Sequence, residues 1–138
     1  MEKILRVWFD GDRIFIGTDK GRTLSRPLEA FPVLMEAPDG LRQQYEIGAD
    51  GDDLRWEALD EDIHISSFYE NVEPDYDNVI GRIFNRFPQL NVSEFARSIG
   101  INKSLLSRYI YGIKKPSIQR QEQILSAIRQ LGRDMADI

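Results

Sequence analysis

Cysteine is absent from the 138 residues, and His64 is the only histidine. Disulfides, zinc-thiolate sites and cysteine nucleophiles are therefore excluded, and one histidine cannot supply a multi-histidine metal site. No apolar run is long enough to cross a bilayer, and no basic and then apolar stretch of the secretory type begins the chain. We therefore expect a cytoplasmic protein with no membrane association and no cofactor.

The charged residues are unevenly distributed along a chain whose net charge is −5. Residues 1–77 contain 8 Lys and Arg against 19 Asp and Glu, a balance of −11. Residues 78–138 contain 10 against 4, a balance of +6. This asymmetry predicts two regions with different partners, and the basic region suits a polyanion.

A segment without apolar periodicity separates these two regions. Residues 70–77 hold four carboxylates and Pro74, a composition typical of an irregular connection. We therefore expect an acidic domain over residues 1–72 and a helical domain over residues 78–138. The predicted fold class is α+β, with a small antiparallel sheet and helix followed by an all-α domain.

The first region predicts short strands joined by turns. Asp10-Gly11-Asp12 is a hairpin signal, and the residues on both sides of it are rich in Val, Ile, Phe and Trp. Apolar residues at helical spacing from Pro27 to Ala37 predict one amphipathic helix. The expected strands are residues 4–9, 13–17, 22–25, 45–48 and 54–56.

The second region has the apolar periodicity of helices. Three are expected over residues 79–87, 92–99 and 103–111, the third with Asn102 as its N-cap. Ser117 is expected to cap a fourth helix that Gly132 ends. The buried face of this last helix is predicted to contain Ile118, Ile124, Leu125, Ile128 and Leu131.

Gly100 lies between two of these short helices, where a sharp turn favours a residue that tolerates positive φ. The small Ala96 suits a close crossing of the two helices. The other residues expected to pack the pair are Phe95, Ile99, Ile101, Leu106 and Tyr109.

This segment, VSEFARSIGINKSLLSRYIYGIKKPS, resembles the helix-turn-helix of phage Cro and C1-type repressors, and the resemblance covers about residues 78–132. It includes the loop Gly112–Ser117, and it implies a helix that enters the major groove of DNA. The family often begins its second helix with a phosphate-binding glutamine, whereas this chain has Val92. The implied base contacts are Lys103, Ser104, Ser107 and Arg108, and the implied phosphate contacts are Asn102, Lys114, Lys115 and Arg120.

The first region resembles the bacterial family called domain of unknown function 2442 over about residues 4–69. The landmarks are Gly21-Arg22, Pro27-Leu28, Phe31-Pro32, Leu34, Trp56 and Leu59–Ile63. The resemblance implies a small α+β fold without an established activity. Members of this kind are suspected to belong to paired modules of the toxin and antitoxin sort.

Two features of the first region allow other chemistry. The carboxylates of Asp60, Glu61 and Asp62 could bind a hard cation or act as acids and bases, but the spacing of an EF-hand is absent, so turn capping is the simpler interpretation. His64 shares a predicted strand face with Asp62 and Ser66, and we expect a surface residue rather than a catalytic one.

These patterns favour a sequence-specific DNA-binding protein that is not an enzyme: a transcriptional regulator or an antitoxin-like autorepressor. Its partners are expected to be double-stranded DNA, a second copy in a homodimer, and a protein bound by the acidic domain. Dimers of this motif read half-sites about one helical turn, ~34 Å, apart. The alternatives are a plain helical bundle with a solvated basic face, an interaction module for a basic partner such as a toxin, and an enzyme that uses Asp60–Asp62.

Overall fold

The computed structural model describes all residues from Met1 to Ile138 and divides into two compact units, Met1–Glu73 and Pro74–Ile138. The first unit contains all the strands, and the second contains only helices and their connections. This arrangement confirms the α+β fold class. The division lies inside the carboxylate-rich segment of residues 70–77.

Three antiparallel strands form the first sheet in the order β1-β2-β3. They are β1 (Ile4–Asp10), β2 (Arg13–Thr18) and β3 (Thr23–Pro27). Gly11 has a φ of 57° in the turn between β1 and β2, a conformation that glycine adopts without steric cost. Ile14 and Ile16 of β2 are fully buried, because side chains two residues apart lie on the same face of a strand.

The expectation of a single helix from Pro27 to Ala37 is wrong. The chain forms a 3-10 turn at Leu28–Ala30, then α1 (Pro32–Glu36) and α2 (Asp39–Arg42). Pro32 explains the break, because a residue before proline is disfavoured in the helical conformation, and Phe31 has φ −129° and ψ 76°. The apolar residues of this segment still contribute to the core, since Leu28, Phe31 and Leu34 are buried.

A second antiparallel sheet has the order β4-β5-β6, with β4 (Glu46–Ile47), β5 (Asp53–Trp56) and β6 (Glu61–His64). Short 3-10 helices follow at Glu57–Leu59 and Ile65–Tyr69. Trp56 is fully buried, and its indole N–H donates to the carbonyl of Arg42 at 2.8 Å. The tryptophan therefore has the polar partner that burial requires.

Arg26 is buried in the first unit, with only 1% of its surface exposed. Its guanidinium donates to the carbonyls of Glu70 at 3.1 Å and Val72 at 2.8 Å. Burial lowers the pKa of Arg26 from its ordinary value, because an apolar surrounding disfavours the charged form. These bonds fasten the last residues of the first unit to β3, a role that the sequence does not reveal since arginine is mostly a surface residue.

The second unit consists of four helices: α3 (Val79–Arg86), α4 (Val92–Ser98), α5 (Lys103–Ile110) and α6 (Ile118–Ala136). Each begins with a side-chain cap, and Asn102 and Ser117 cap α5 and α6 as the sequence predicts. The core cluster of this unit contains Ile80, Phe84, Phe95, Ala96, Ile101, Leu106, Tyr109, Ile110 and Ile124.

Two expectations for α6 are wrong. The helix continues through Gly132 to Ala136, and Ile118 in its first turn is 86% exposed. Glycine inside a helix costs only about 1 kcal/mol, and apolar spacing spans this one, from Leu131 before it to Met135 after it. No helix of the chain, α6 included, is long and apolar enough to cross a membrane.

Candidate nucleic-acid interface

A sharp turn connects α4 to α5. Asn91 caps α4 by accepting a hydrogen bond from the backbone N–H of Glu94 at 2.9 Å. At the other end, Gly100 has a φ of 72°, and the N–H of Ile101 donates to the carbonyl of Ala96 at 3.0 Å. Such a left-handed glycine satisfies the last carbonyls of α4 and redirects the chain into α5.

Apolar contacts fix α5 against α4. Ala96 of α4 and Leu106 of α5 are both buried in the core cluster, together with Ile101 from the turn. Phe95 meets Phe84 of α3 edge to face, with ring centroids 5.6 Å apart. The orientation of α5 is therefore set by a packed core and not by its exposed residues.

Three of the four residues expected to contact bases reach the surface. Ser104 and Arg108 are four residues apart and lie on one face of α5, while Lys103 is in its first turn. All three are half-buried, with part of each side chain at the surface. The structure thus brings a hydroxyl and two cations to the solvent-facing side of one short helix.

Ser107 is the exception, and the structure corrects its predicted role. Only 2% of its surface is exposed, and Ile110, three residues further along the same side of α5, is buried too. A base edge cannot reach a side chain buried to this degree. The Ser107-Arg108 pair of the motif is therefore one buried residue and one surface residue.

The residues expected to contact phosphates lie at both ends of α5 and beyond it. Asn102 is exposed, and its Oδ1 accepts from the N–H of Ser104 at 2.7 Å, so only its amide group can donate outward. Lys114 and Lys115 are exposed in the loop after α5. Arg120 is half-exposed on the first turn of α6, and it donates to the Oε1 of Gln123 at 3.1 Å.

The end of α5 is held by a contact that the sequence analysis missed. The N–H of Asp75 donates to the carbonyl of Tyr111 at 2.8 Å, and the Nδ2 of Asn78 donates to the carbonyls of Asp75 and Ile110. Gly112 has a φ of 75°, and a Cβ there would lie 2.0 Å from the carbonyl oxygen of Asp75. The loop that contains Lys114 and Lys115, here called the lysine loop, therefore starts from a fixed point. Gly112 is the only residue in the sequence that could have indicated this contact.

Asp60 and Asp62 of the acidic segment Asp60–Asp62 form hydrogen bonds within the first unit. Arg55 donates to Glu57 at 3.0 Å, Asp60 at 3.0 Å and Asp62 at 2.8 Å. These bonds raise the pKa of Arg55 above its ordinary value. Asp60 has a φ of 49° at the turn before β6, which an aspartate tolerates better than most residues. The carboxylates therefore stabilise a turn, and no group of three or more His, Asp or Glu is arranged to hold a metal.

His64 is exposed and has Ser66 as a neighbour, as expected, but Asp52 replaces the expected Asp62. Its Nδ1 lies 2.9 Å from the hydroxyl of Ser66 and accepts from the N–H of Ser66 at 3.1 Å. Its Nε2 lies 3.4 Å from Asp52. These contacts place the imidazole as the cap of the 3-10 helix Ile65–Tyr69, a local structural arrangement on an exposed surface.

The chain belongs to the family described as "Protein of unknown function (DUF2442)", whose model matches residues 4–74. This match confirms the resemblance of the first unit, whereas the comparisons give no support for a Cro/C1-type domain in the second unit beyond its helical structure. A crystal structure from Nitrosomonas europaea, described as a "Putative DNA Binding Protein", is 16% identical over 91% of this chain and 85% of that chain, with a TM-score of 0.36. A likeness this weak says nothing about what this chain binds. No curated protein matches the chain.

Proposed function

We propose that the unit Pro74–Ile138 is a Cro/C1-type helix-turn-helix that binds DNA, and that the protein is a transcriptional regulator or an antitoxin-like autorepressor. The observation that carries the proposal is the pair α4 and α5, joined at Gly100, with Lys103, Ser104 and Arg108 on the solvent-facing side of α5. The major groove admits one α-helix, and its base edges are recognised by such donors.

The residue types suit separate roles. Arg108 and Lys103 can donate to O6 and N7 of guanine, and the hydroxyl of Ser104 can bond to a base edge or a phosphate. Lys114, Lys115 and Arg120 are suited to phosphates on either side of the groove, where they would position α5 without reading sequence.

Charge supports the same proposal. Residues 74–138 contain 10 Lys and Arg against 6 Asp and Glu, a balance of +4, whereas residues 1–73 contain 8 against 17, a balance of −9. The cationic unit attracts the phosphate backbone, and the acidic unit opposes non-specific binding at physiological salt.

The test is a selection from randomised duplexes with the full-length protein, followed by affinity measurements on the enriched site. We expect an enriched palindrome with half-sites about 10 base pairs apart. Arg108→Ala should weaken binding to this site about tenfold or more, because one base contact contributes about 1–3 kcal/mol. Arg133→Ala, which removes the same charge from the far end of α6, is the matched control and should have little effect.

Weak binding without an enriched sequence would refute the DNA proposal and favour the interaction module, in which the acidic unit binds a basic protein such as a toxin. The balance of −9 over residues 1–73 is the observation behind this second candidate. The two are separated by Arg108→Ala, which should change DNA binding only. The absence of an enzymatic role stays a prediction, which a survey of hydrolytic activities with and without Mg²⁺ can test.

A further inference from the structure

Strand β1 lies at one edge of its sheet, and no strand pairs with the outer side of its backbone, where the Val7 carbonyl accepts from the Tyr45 hydroxyl. Asp10 and Arg13 flank a two-residue turn, so Arg6, Trp8 and Asp10 form the hydrogen-bonded pairs with β2. The N–H and C=O groups of Val7 and Phe9 consequently point away from β2. A groove of about 490 Å³ runs along this edge, and Leu5 beside it is 60% exposed.

The side chains on the outer face of β1 have an ordered sequence of charge and shape. Arg6, Trp8 and Asp10 alternate along the strand. Trp8 stacks on Phe15 of β2 with ring centroids 5.5 Å apart, and the Arg6 guanidinium lies 5.0 Å from the Trp8 ring. Neither Arg6 nor Asp10 forms an ion pair within the chain. Along the strand, a cation therefore lies two residues before an aromatic ring and an anion two residues after it.

This pattern is complementary to itself in an antiparallel arrangement. If a second β1 pairs along the outer edge with Trp8 opposite Trp8 of the other copy, Val7 lies opposite Phe9, and the outward N–H and C=O groups of each residue face those of the other. The same register places Arg6 opposite Asp10 twice, once on each side of the two-fold axis. An isologous dimer needs a surface of this kind.

We propose that the outer edge of β1 is an interface for a second copy of this chain, which joins the two first sheets into one six-stranded sheet. Charged residues on an edge strand usually prevent pairing. Here the two opposite charges are four residues apart and symmetric about Trp8, so this single register converts them into attractive pairs. The Tyr45 hydroxyl donates to the Val7 carbonyl at 3.3 Å, which leaves the second lone pair of that oxygen for the partner strand. The proposal depends only on the first unit and is independent of DNA binding.

Introduced cysteines test the register, because the natural chain contains none and any disulfide must join two copies. Trp8→Cys places two thiols at a non-hydrogen-bonded pair, where the Cα atoms are about 4.5 Å apart and a disulfide can form. Phe15→Cys is the matched control, because it disrupts the same ring stack on the same face. Its Cα atoms would be about 14 Å apart across three strand spacings, beyond disulfide reach. We expect disulfide-linked dimers of full-length Trp8→Cys in a glutathione buffer, and no disulfide-linked dimers of Phe15→Cys.

Variants with exchanged charges test the proposed pairs between Arg6 and Asp10. Sedimentation of the full-length protein over a concentration series measures self-association. Arg6→Glu should weaken self-association about tenfold, because it brings two pairs of like charges together. The double variant Arg6→Glu with Asp10→Arg should restore it, although the Arg6 contact with Trp8 is still lost. Lys20→Glu, in the turn between β2 and β3, should leave self-association unchanged.

A chain that stays monomeric at 100 µM, with equal disulfide yields from the two cysteine variants, would overturn the proposal. A dimer that survives Arg6→Glu without loss would do the same, because its interface must then lie elsewhere. Far-UV circular dichroism of each variant shows whether it is folded, and the paired controls keep either result interpretable.

Discussion

Gly112 and Gly100 both have a left-handed backbone, with φ values of 75° and 72°, but their surroundings differ. A Cβ on Gly112 would lie 2.0 Å from the carbonyl oxygen of Asp75, whereas nothing lies within 4 Å of a Cβ on Gly100. Gly100→Ala therefore carries only the cost of the backbone conformation, about 1 kcal/mol. Gly112→Ala adds a collision with backbone and should lower the free energy of unfolding by about 3 kcal/mol.

Urea denaturation followed by circular dichroism at 222 nm measures both variants. The difference between their free energies of unfolding gives the cost of the collision with Asp75, because the cost of the left-handed backbone is common to both. If Gly112→Ala costs no more than Gly100→Ala, the segment at Asp75 is not held against the end of α5, and the start of the lysine loop is not fixed as described.

The contacts of Glu2 allow a prediction of how the stability of the first unit changes in acid. Its carboxylate accepts from the Thr18 hydroxyl at 2.6 Å, from the Tyr69 hydroxyl, and from Arg22 at 3.3 Å. The hydrogen bonds from Thr18 and Tyr69, with a smaller contribution from Arg22, lower the pKa of Glu2 below its ordinary value of 4.5. A lowered carboxyl pKa contributes stability that is fully present above pH 4.5 and is lost as the pH falls through the folded-state value.

Glu2→Gln should therefore be less stable than the natural chain at pH 7 and should lose less stability between pH 4.5 and pH 2. Thermal denaturation across this range measures the difference, and the exposed Glu46→Gln serves as the matched control. A parallel acid dependence in Glu2→Gln and the natural chain would show that the ion pair and hydroxyl bonds at Glu2 do not form in solution.

At the scale of secondary structure, local patterns predicted the elements that depend on local interactions. The hairpin of β1 and β2 follows from Asp10-Gly11-Asp12 between two segments rich in Val, Ile, Phe and Trp, and the starts of α5 and α6 follow from Asn102 and Ser117. In each case a turn or a cap supplies the hydrogen bonds within four residues of the signal.

The failures occur where the pattern of apolar residues conflicts with backbone chemistry. Leu28, Phe31 and Leu34 have helical spacing, yet Pro32 restricts Phe31 and divides the segment into two short pieces. The opposite error occurs at Gly132, where the end of a helix was expected. The small loss of helix stability at one glycine does not end a helix whose apolar spacing continues. A groove of about 740 Å³ that includes Leu131 and Met135 lies along this extension. Periodicity locates most of the core face in both cases, with Ile118 of α6 as the exception, but it does not locate the ends.

For the molecule as a whole, charge and composition predicted two domains that meet near residue 75, and the chain divides into the units Met1–Glu73 and Pro74–Ile138. The candidate interface was predicted only in part. Helical spacing brings Ser104 and Arg108 to one face, but it does not show that Ser107 faces the core until the packing of α5 on α4 is known. Asp75 was missed because its contact with Tyr111 joins residues 36 positions apart, and no local pattern encodes such a pair.

The salt dependence of DNA affinity is the prediction that involves the whole charge distribution. Each phosphate contact with B-DNA contributes about −0.9 to the slope of log affinity against log salt concentration. If Lys114 and Lys115 each contact a phosphate, Lys114→Ala with Lys115→Ala should make this slope about 1.8 less steep, on the selected site and on random duplexes alike. Arg129→Ala with Arg133→Ala removes the same two charges from the second half of α6 and should change the slope by much less. Equal changes in the two double variants would mean that net charge, and not contact by the lysine loop, governs the attraction. The proposed role of the loop in positioning α5 on DNA would then have to be abandoned.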